Sequence, residues 1–260
     1  MKPKIPYIIL LVLIVTTTIV SAMPFNMQYI TSTSQYYNVF FDEEGEAYVA
    51  LRLDIYNKDR QPIEYLNLEI PGDGMIIYKI VQEKQYQYEE INANPARLSD
   101  SVYFTLDLEP IEKDEHSTIL IFYKAKGYVD KSFGKYKFEF ETIKTPYLAN
   151  DVKVSIDVQE GLQLKGKRAE VNYVPDFQMF ARAGALEADS YKSISNSVVR
   201  DTSYTKTAKF LDPYESFSVN GVYAENWFMM NLGWIIAIGV ILFLFLILLL
   251  FVLLIKLILK

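Results

Sequence analysis

His116 is the single histidine of the chain, and it stands among Glu112, Asp114 and Glu115. An imidazole beside carboxylates is the raw material of a His–Asp proton-transfer pair. The same residues also describe a solvated turn, and that is the reading adopted. One histidine and no cysteine exclude a Cys–His nucleophilic pair and the common zinc sites. Two acidic runs, Asp42-Glu43-Glu44-Gly45-Glu46 and Glu109 to Glu115, could offer oxygen ligands to Ca²⁺, but neither has the spacing of an EF-hand loop. Both read as turns. Lys165-Gly166-Lys167-Arg168 is a small basic patch that reads as an exposed hairpin turn, with an anionic ligand as the alternative. Tyr86 and Tyr88, in a polar stretch, form a possible contact surface, since tyrosine is favoured at interfaces. No catalytic, metal or cofactor site is assigned. The chain is expected not to be an enzyme, and a carboxylate-dependent hydrolase remains the less favoured alternative.

Composition narrows the partners. The 260-residue chain has a net charge of −6, and setting aside Lys2, Lys4, Lys256 and Lys260 leaves its middle near −10. That balance argues against nucleic acid and against docking on an anionic surface. The 20 Tyr and 16 Phe suit strands.

Both ends are apolar. Lys2 and Lys4 precede a run from Ile5 to Val20 closed by Val20-Ser21-Ala22, which reads as a signal peptide over residues 1–22. An uncleaved anchor is the alternative; either places Met23 onward outside the cytoplasm. Leu232 to Ile255 contains no charged side chain. A helix needs roughly 20 apolar residues to cross a hydrocarbon core of about 30 Å, so residues 227–255 are expected to be a transmembrane helix. Trp227, Phe228 and Trp234 would sit at the outer interface. Lys256 and Lys260 would place a short tail, 256–260, in the cytoplasm by the positive-inside rule. Gly233 and Ala237, four apart, make a possible helix-packing face, with plain lipid contact as the alternative.

Between the termini the period is two. Val49, Leu51, Leu53 and Ile55 alternate with polar neighbours, as do Leu66, Leu68 and Ile70, then Val102, Phe104, Leu106 and Leu108, then Val152, Val154, Ile156 and Val158. Short alternating strands between Gly- and Pro-containing turns predict an all-β fold. Gln82 to Asp100 reads as irregular, Ala169 to Tyr173 as a strand, Phe177 to Ala188 as a short helix, and Ser190 to Thr205 as a long loop. Leu108-Glu109-Pro110 with Glu115 is echoed by Leu211-Asp212-Pro213 with Glu215. The echo divides the ectodomain into two β-sandwich domains, 23–130 and 131–226.

The Leu51 to Asn57 strand, Pro62, the strand ending at Pro71 and the Leu108 to Tyr123 turn and strand resemble the Ig-like and CARDB-type sandwiches of bacterial and archaeal envelope proteins. The likeness covers about residues 36–126. Where that family carries glycine after the Asn and after the Pro, this chain has Asp59 and Ile111. The order of signal peptide, two β-rich units joined by an aromatic, Pro-containing connection (Tyr136 to Pro146) and C-terminal span is also similar to ribophorin I, a subunit of oligosaccharyltransferase. The Ig-like resemblance implies a tandem β-sandwich (Ig-like) ectodomain. The absence of cysteine and the Ile, Lys and Tyr richness point to a prokaryotic envelope, archaeal in the narrower reading, and the apolar span to a single-pass protein of its plasma membrane. Its partners would be the lipid bilayer and proteins outside the cytoplasm or in the membrane. The expected role is binding, adhesion or scaffolding, with an accessory subunit of a membrane complex as the alternative.

Overall fold

The computed structural model describes residues 31–84, 87–97, 100–166, 188–199 and 204–259. The expected signal peptide (1–22), Tyr86, Lys167, Arg168, the strand at 169–173, Lys260 and nearly all of the helix at 177–188 lie outside the described residues. In chain order the elements are β1 (Ser32–Phe41), β2 (Ala47–Tyr56), β3 (Ile63–Pro71), β4 (Asp73–Lys84), β5 (Gln87–Glu90), β6 (Ala93–Arg97), β7 (Ser101–Ile111), β8 (His116–Lys126), β9 (Val129–Ser132), β10 (Lys135–Glu141), β11 (Leu148–Val158), β12 (Gln163–Leu164), α1 (Ala188–Val198), β13 (Tyr204–Leu211), β14 (Ser218–Ala224), α2 (Trp227–Met230) and α3 (Leu232–Ile258). The fold is therefore mostly β, with one long C-terminal apolar helix.

The strands form a seven-stranded sheet in the order β13-β11-β1-β2-β8-β4-β5, a four-stranded sheet β12-β14-β10-β9 and a three-stranded sheet β3-β7-β6. Backbone bonds between Glu69 and Lys144, at 2.9 and 3.1 Å, tie the two smaller sheets together. One apolar core runs between this composite layer and the seven-stranded sheet. Alternation explains which side chains enter it: successive residues of a strand point to opposite faces, so Val49, Leu51, Leu53 and Ile55 of β2 all face inward and are buried. Aromatic rings from both layers meet there. Tyr37 lies 5.5 Å from Phe140, Phe41 stacks on Phe138 at 5.0 Å, and Tyr136 stacks on Tyr223 at 4.5 Å.

The expected boundary near residue 130 does not coincide with a break in the sheet. β1 pairs in parallel with β11 from Ser32↔Leu148 to Phe41↔Val158, so strands from both expected units share one sheet, and everything from Thr31 onward clusters as a single compact unit. Period-two patterning marks a strand and its buried face but does not say which strand lies beside it, so the interleaving was invisible to it.

Two stretches differ from expectation for reasons of composition. Gln82 to Asp100 is polar, yet it completes β4 and contains β5 and β6, because ladder bonds to Val81–Lys84 and to β7 satisfy its backbone whatever its side chains. The Ser-rich loop expected at 190–205 holds most of α1 instead. Tyr191, Ile194 and Val198 recur at helical spacing and bury against Ala50, Val81, Leu120 and Phe122 on the outer face of the large sheet. Ser and Asn disfavour helix interiors only weakly, and the apolar stripe outweighs them. β8 carried the complementary signal: its run Ile119-Leu120-Ile121-Phe122 is apolar on both faces, as a strand covered on both sides must be.

Gly221 of β14 lies opposite Phe138 in the ladder, and a Cβ at Gly221 would overlap the Phe138 ring. Gly221→Ala is therefore expected to destabilise the fold by about 1–3 kcal/mol through overpacking. Phe138→Leu should relieve part of that loss in the double variant, as urea unfolding of the detergent-solubilised protein can measure.

A second expectation concerns pH. Glu46 is buried and held by the ammonium groups of Lys124 and Lys126, the latter at 3.0 Å. Its hydrogen bond to Lys124 is the main reason its carboxyl is held below the ordinary value near 4.5. A depressed carboxyl contributes stability that is present above that value and is lost as pH falls through the folded-state pKa. Glu46→Gln should flatten this acid limb of a melting temperature–pH profile.

Candidate functional site

Asn57 directly follows β2 and is completely buried. Its Nδ2 donates to the carbonyls of Gln61 at 2.9 Å and Ile111 at 2.8 Å. Its Oδ1 accepts from Asp59 N at 2.8 Å and from Thr31 Oγ1 at 3.3 Å. Backbone bonds to Asp114 and Glu115 complete the set. One short amide thus ties the 57–62 loop to the turn before β8, a use of Asn in turns that its compact donor–acceptor pair makes possible. Lys58 bridges the same two segments through Asp114 at 2.7 Å.

The loop so held forms one wall of an open groove lined by Asp59, Arg60, Gln61, Pro62, Tyr65 and Tyr147. Tyr65 is 61 % exposed. Tyr147 is half-buried, and its phenol pKa is raised mainly by burial, with smaller contributions from Asp59 and Tyr214. Tyr214 joins this pole because its N–H donates to Thr145 O at 2.8 Å. The echo noted in the sequence is physical here. In Glu112–Glu115 and in Asp212–Glu215 the last carboxylate accepts the first N–H, at 3.2 and 3.0 Å. The third residue, Asp114 or Tyr214, has positive φ in each. The two turns lie at one pole of a single unit and do not mark two domains.

Positive φ is disfavoured for bulky side chains. Yet Tyr214 (φ 63°) and Phe210 (φ 57°) hold it while 55 % and 52 % exposed. Neither conformation is repaid by burial of the ring, which is the pattern expected where a surface is kept for contact. Sequence reasoning missed both residues. The available signal was an aromatic at the third position of the Asp212-Pro213-Tyr214-Glu215 turn, where Gly or Asn is favoured.

The opposite pole meets the apolar helix. β14 carries the chain across about 23 Å from the Tyr214 pole to Ala224, and Asn226 caps α2 through Met229 N at 2.9 Å. Leu232–Leu257 is long and apolar enough to cross a membrane and is not buried within the protein. Its length, about 39 Å at 1.5 Å per residue, exceeds a hydrocarbon core of about 30 Å. Trp227, Phe228 and Trp234 are exposed around its start, and Lys256 is exposed in its last turn. Gly233 and Ala237 are exposed near its start, and a Cβ at Gly233 would meet nothing within 4 Å.

Other candidates are otherwise engaged. Tyr88 is half-buried 6.0 Å from Tyr191 under α1, with its hydroxyl 3.4 Å from Glu83; it braces the helix and does not offer an open contact surface. The Asp42 carboxylate accepts the N–H groups of Glu44 and Glu46, both at 2.9 Å, and so organises its own turn. His116 is exposed at the start of β8, opposite Tyr56. Among the described residues no group of three or more His, Asp or Glu side chains is placed to hold a metal.

No family model matches the chain. No curated protein matches it either. Among solved structures, the M1 zinc metallopeptidase from Deinococcus radiodurans matches at 10% identity and a TM-score of 0.33, over 52% of this chain and 33% of that one. A mutant of a two-domain M1 zinc metallopeptidase bound to L-tryptophan matches at 12% identity and a TM-score of 0.34, over 52% and 34%. The chain thus spans about a third of the length of these structures, and a likeness this low carries no argument about activity.

Asn57→Ala would take the side-chain donor away from the Gln61 and Ile111 carbonyls, while the Asp59 N–H would keep only Thr31 Oγ1 at 3.2 Å. A loss of about 2 kcal/mol is expected from unsatisfied groups of this kind. Hydrogen exchange should show the 57–62 and 112–115 segments opening together; protection lost in one segment alone would mean they are not coupled through this side chain.

Proposed function

We propose that the chain is a single-pass membrane protein whose β-sandwich body lies outside the cytoplasm and binds a protein partner through the pole opposite its helix. The observation that carries this reading is the groove beside Tyr65 and Tyr147, with Tyr214, an exposed aromatic held at positive φ, close to Tyr147. Tyrosine supplies large contact area at low conformational cost and is enriched where proteins meet. The apolar helix presents the opposite pole to the bilayer, so the groove faces away from lipid. The role is binding, as adhesion or scaffold, in a prokaryotic cell envelope, and requires no cofactor.

A second reading rests on the helix. Gly233 and Ala237 leave a small-residue face at its outer end, and such a face allows two helices to approach closely. An accessory subunit of a membrane complex would use that face in place of, or in addition to, the groove.

A photo-crosslinking residue placed at Tyr214 or Tyr65 in native membranes should capture a discrete partner, and one placed at Gly233 should not. Tyr65→Ala with Tyr214→Ala should weaken recovery of that partner by tenfold or more, corresponding to about 1.4 kcal/mol or more of lost contact. Crosslinks confined to Gly233 would transfer the reading to the helix. Cleavage of the body by protease only after cell lysis would overturn the orientation.

A further inference from the structure

The β9–β10 hairpin turns through two residues, Phe133 and Gly134, closed by the Ser132↔Lys135 pair. Both have positive φ, 50° and 71°. Tight hairpins of this kind favour Asn, Asp or Gly at the first position, since those residues tolerate a left-handed backbone. Here the position holds phenylalanine, and its ring is 86 % exposed, more open to solvent than Trp234 at 73 %. Among the described residues little covers this side chain to offset the cost of its backbone. A local rule broken without compensation inside the fold points to a use outside it.

The surroundings identify the use. A Cβ at Gly134 would lie 3.5 Å from the sulfur of Met229, so the hairpin tip touches α2 three residues before the apolar span begins at Leu232. Trp227 and Phe228, on the same short helix, are exposed beside it. Lys131 and Lys135 flank the tip. Lys131 lies 4.8 Å from the centre of the Tyr136 ring and 3.4 Å from the carbonyl of Glu43, within the field of Glu43 and Glu225. Acids and bases therefore alternate here, and the apolar ring, not a net charge, is the feature the tip presents.

We infer that the Phe133 tip is a second membrane contact. It inserts its ring among the lipid headgroups and upper acyl chains next to the start of α3 and, with that helix, fixes how the β body stands on the bilayer. Aromatic rings favour this zone of a membrane. Attachment through the helix alone would leave the body free to swivel about Asn231; two neighbouring contacts hold the groove at the far pole away from lipid. The inference rests on the reading that α3 spans the bilayer.

The chain has no cysteine, so one introduced thiol reports one place. Ser132→Cys, Leu244→Cys and Tyr65→Cys variants of the full chain would each be labelled with an environment-sensitive fluorophore. They would then be reconstituted in phosphatidylcholine vesicles containing lipid brominated near the headgroup or deep in the acyl chain. Shallow bromine is expected to quench the label at 132 and shift its emission to the blue, deep bromine to quench the label at 244, and neither to affect the label at 65. Adding Phe133→Asp to the Ser132→Cys variant should abolish quenching at 132, and adding it to the Leu244→Cys variant should leave quenching at 244 unchanged. Quenching at 244 without quenching at 132 overturns the second contact and leaves the spanning helix standing. No quenching at 244 overturns the spanning helix and the inference with it. Equal quenching at 132 and 65 means that the body lies flat, and also overturns it.

Discussion

Ten residues of β1 hydrogen-bond in parallel to β11 from Ser32↔Leu148 to Phe41↔Val158, and the remaining architecture depends on that pairing. It places β11 and β13 on one side of β1 and β2, β8, β4 and β5 on the other. Closing a connection of roughly a hundred residues costs about 4 kcal/mol of chain entropy beyond a constant, and that cost grows only logarithmically with length. Side-chain burial along both strands offsets it: Tyr37, Val39 and Phe41 of β1 and Val152, Val154 and Ile156 of β11 are all buried on the inner face. A parallel pair also requires a long crossover, and the intervening chain supplies it as β2 to β10, strands that contribute four members of the large sheet and build most of the facing layer.

The four-stranded part of the facing layer packs through aromatic rings, the three-stranded part mainly through aliphatic side chains such as Leu66, Leu68 and Leu106. Phe41 stacks on Phe138 and Tyr223 across the two layers, and Tyr223 in turn packs on Tyr136 and Phe138 within the four-stranded sheet. Their hydroxyls are not wasted: Tyr136 and Tyr223 donate to the carbonyls of Glu43 and Asp42 at 2.8 and 3.0 Å. Tyr128 likewise donates to Pro71 O. Tyrosine thus fills the core with its ring and fastens the turns at the edge of the core with its oxygen. A chain without disulfides closes its hairpin ends in this way, and the same device sets the β1–β2 turn against β14, the strand that leads to the apolar helix.

The two poles of the sandwich use strain in the same fashion. Phe133 at one end, Phe210 and Tyr214 at the other, keep exposed rings on left-handed backbone. In each place the fold tolerates a conformation that burial does not repay. Residues on rigid ladders hold them: Ser132 and Lys135 pair at one end, and Leu211 pairs with Ala149 at the other. In the reading proposed above, one end serves the bilayer and the other a partner.

The sequence by itself determined the β class, the inward faces of most long strands and the apolar helix, because each is written in local periodicity: alternation for Val49 to Ile55, unbroken apolarity from Leu232 to Ile255. The neighbour of each strand was not legible. Nothing local distinguishes a β11 that pairs with β1 from one that begins a second sandwich, since both bury the same alternating face. Tyr88 could not be told from an exposed tyrosine until α1 was seen to cover it, and α1 itself was hidden by serine although Tyr191, Ile194 and Val198 had the right spacing. The groove was beyond reach for the same reason: Tyr65, Tyr147 and Tyr214 are far apart along the chain, and only long-range pairing brings them to one end.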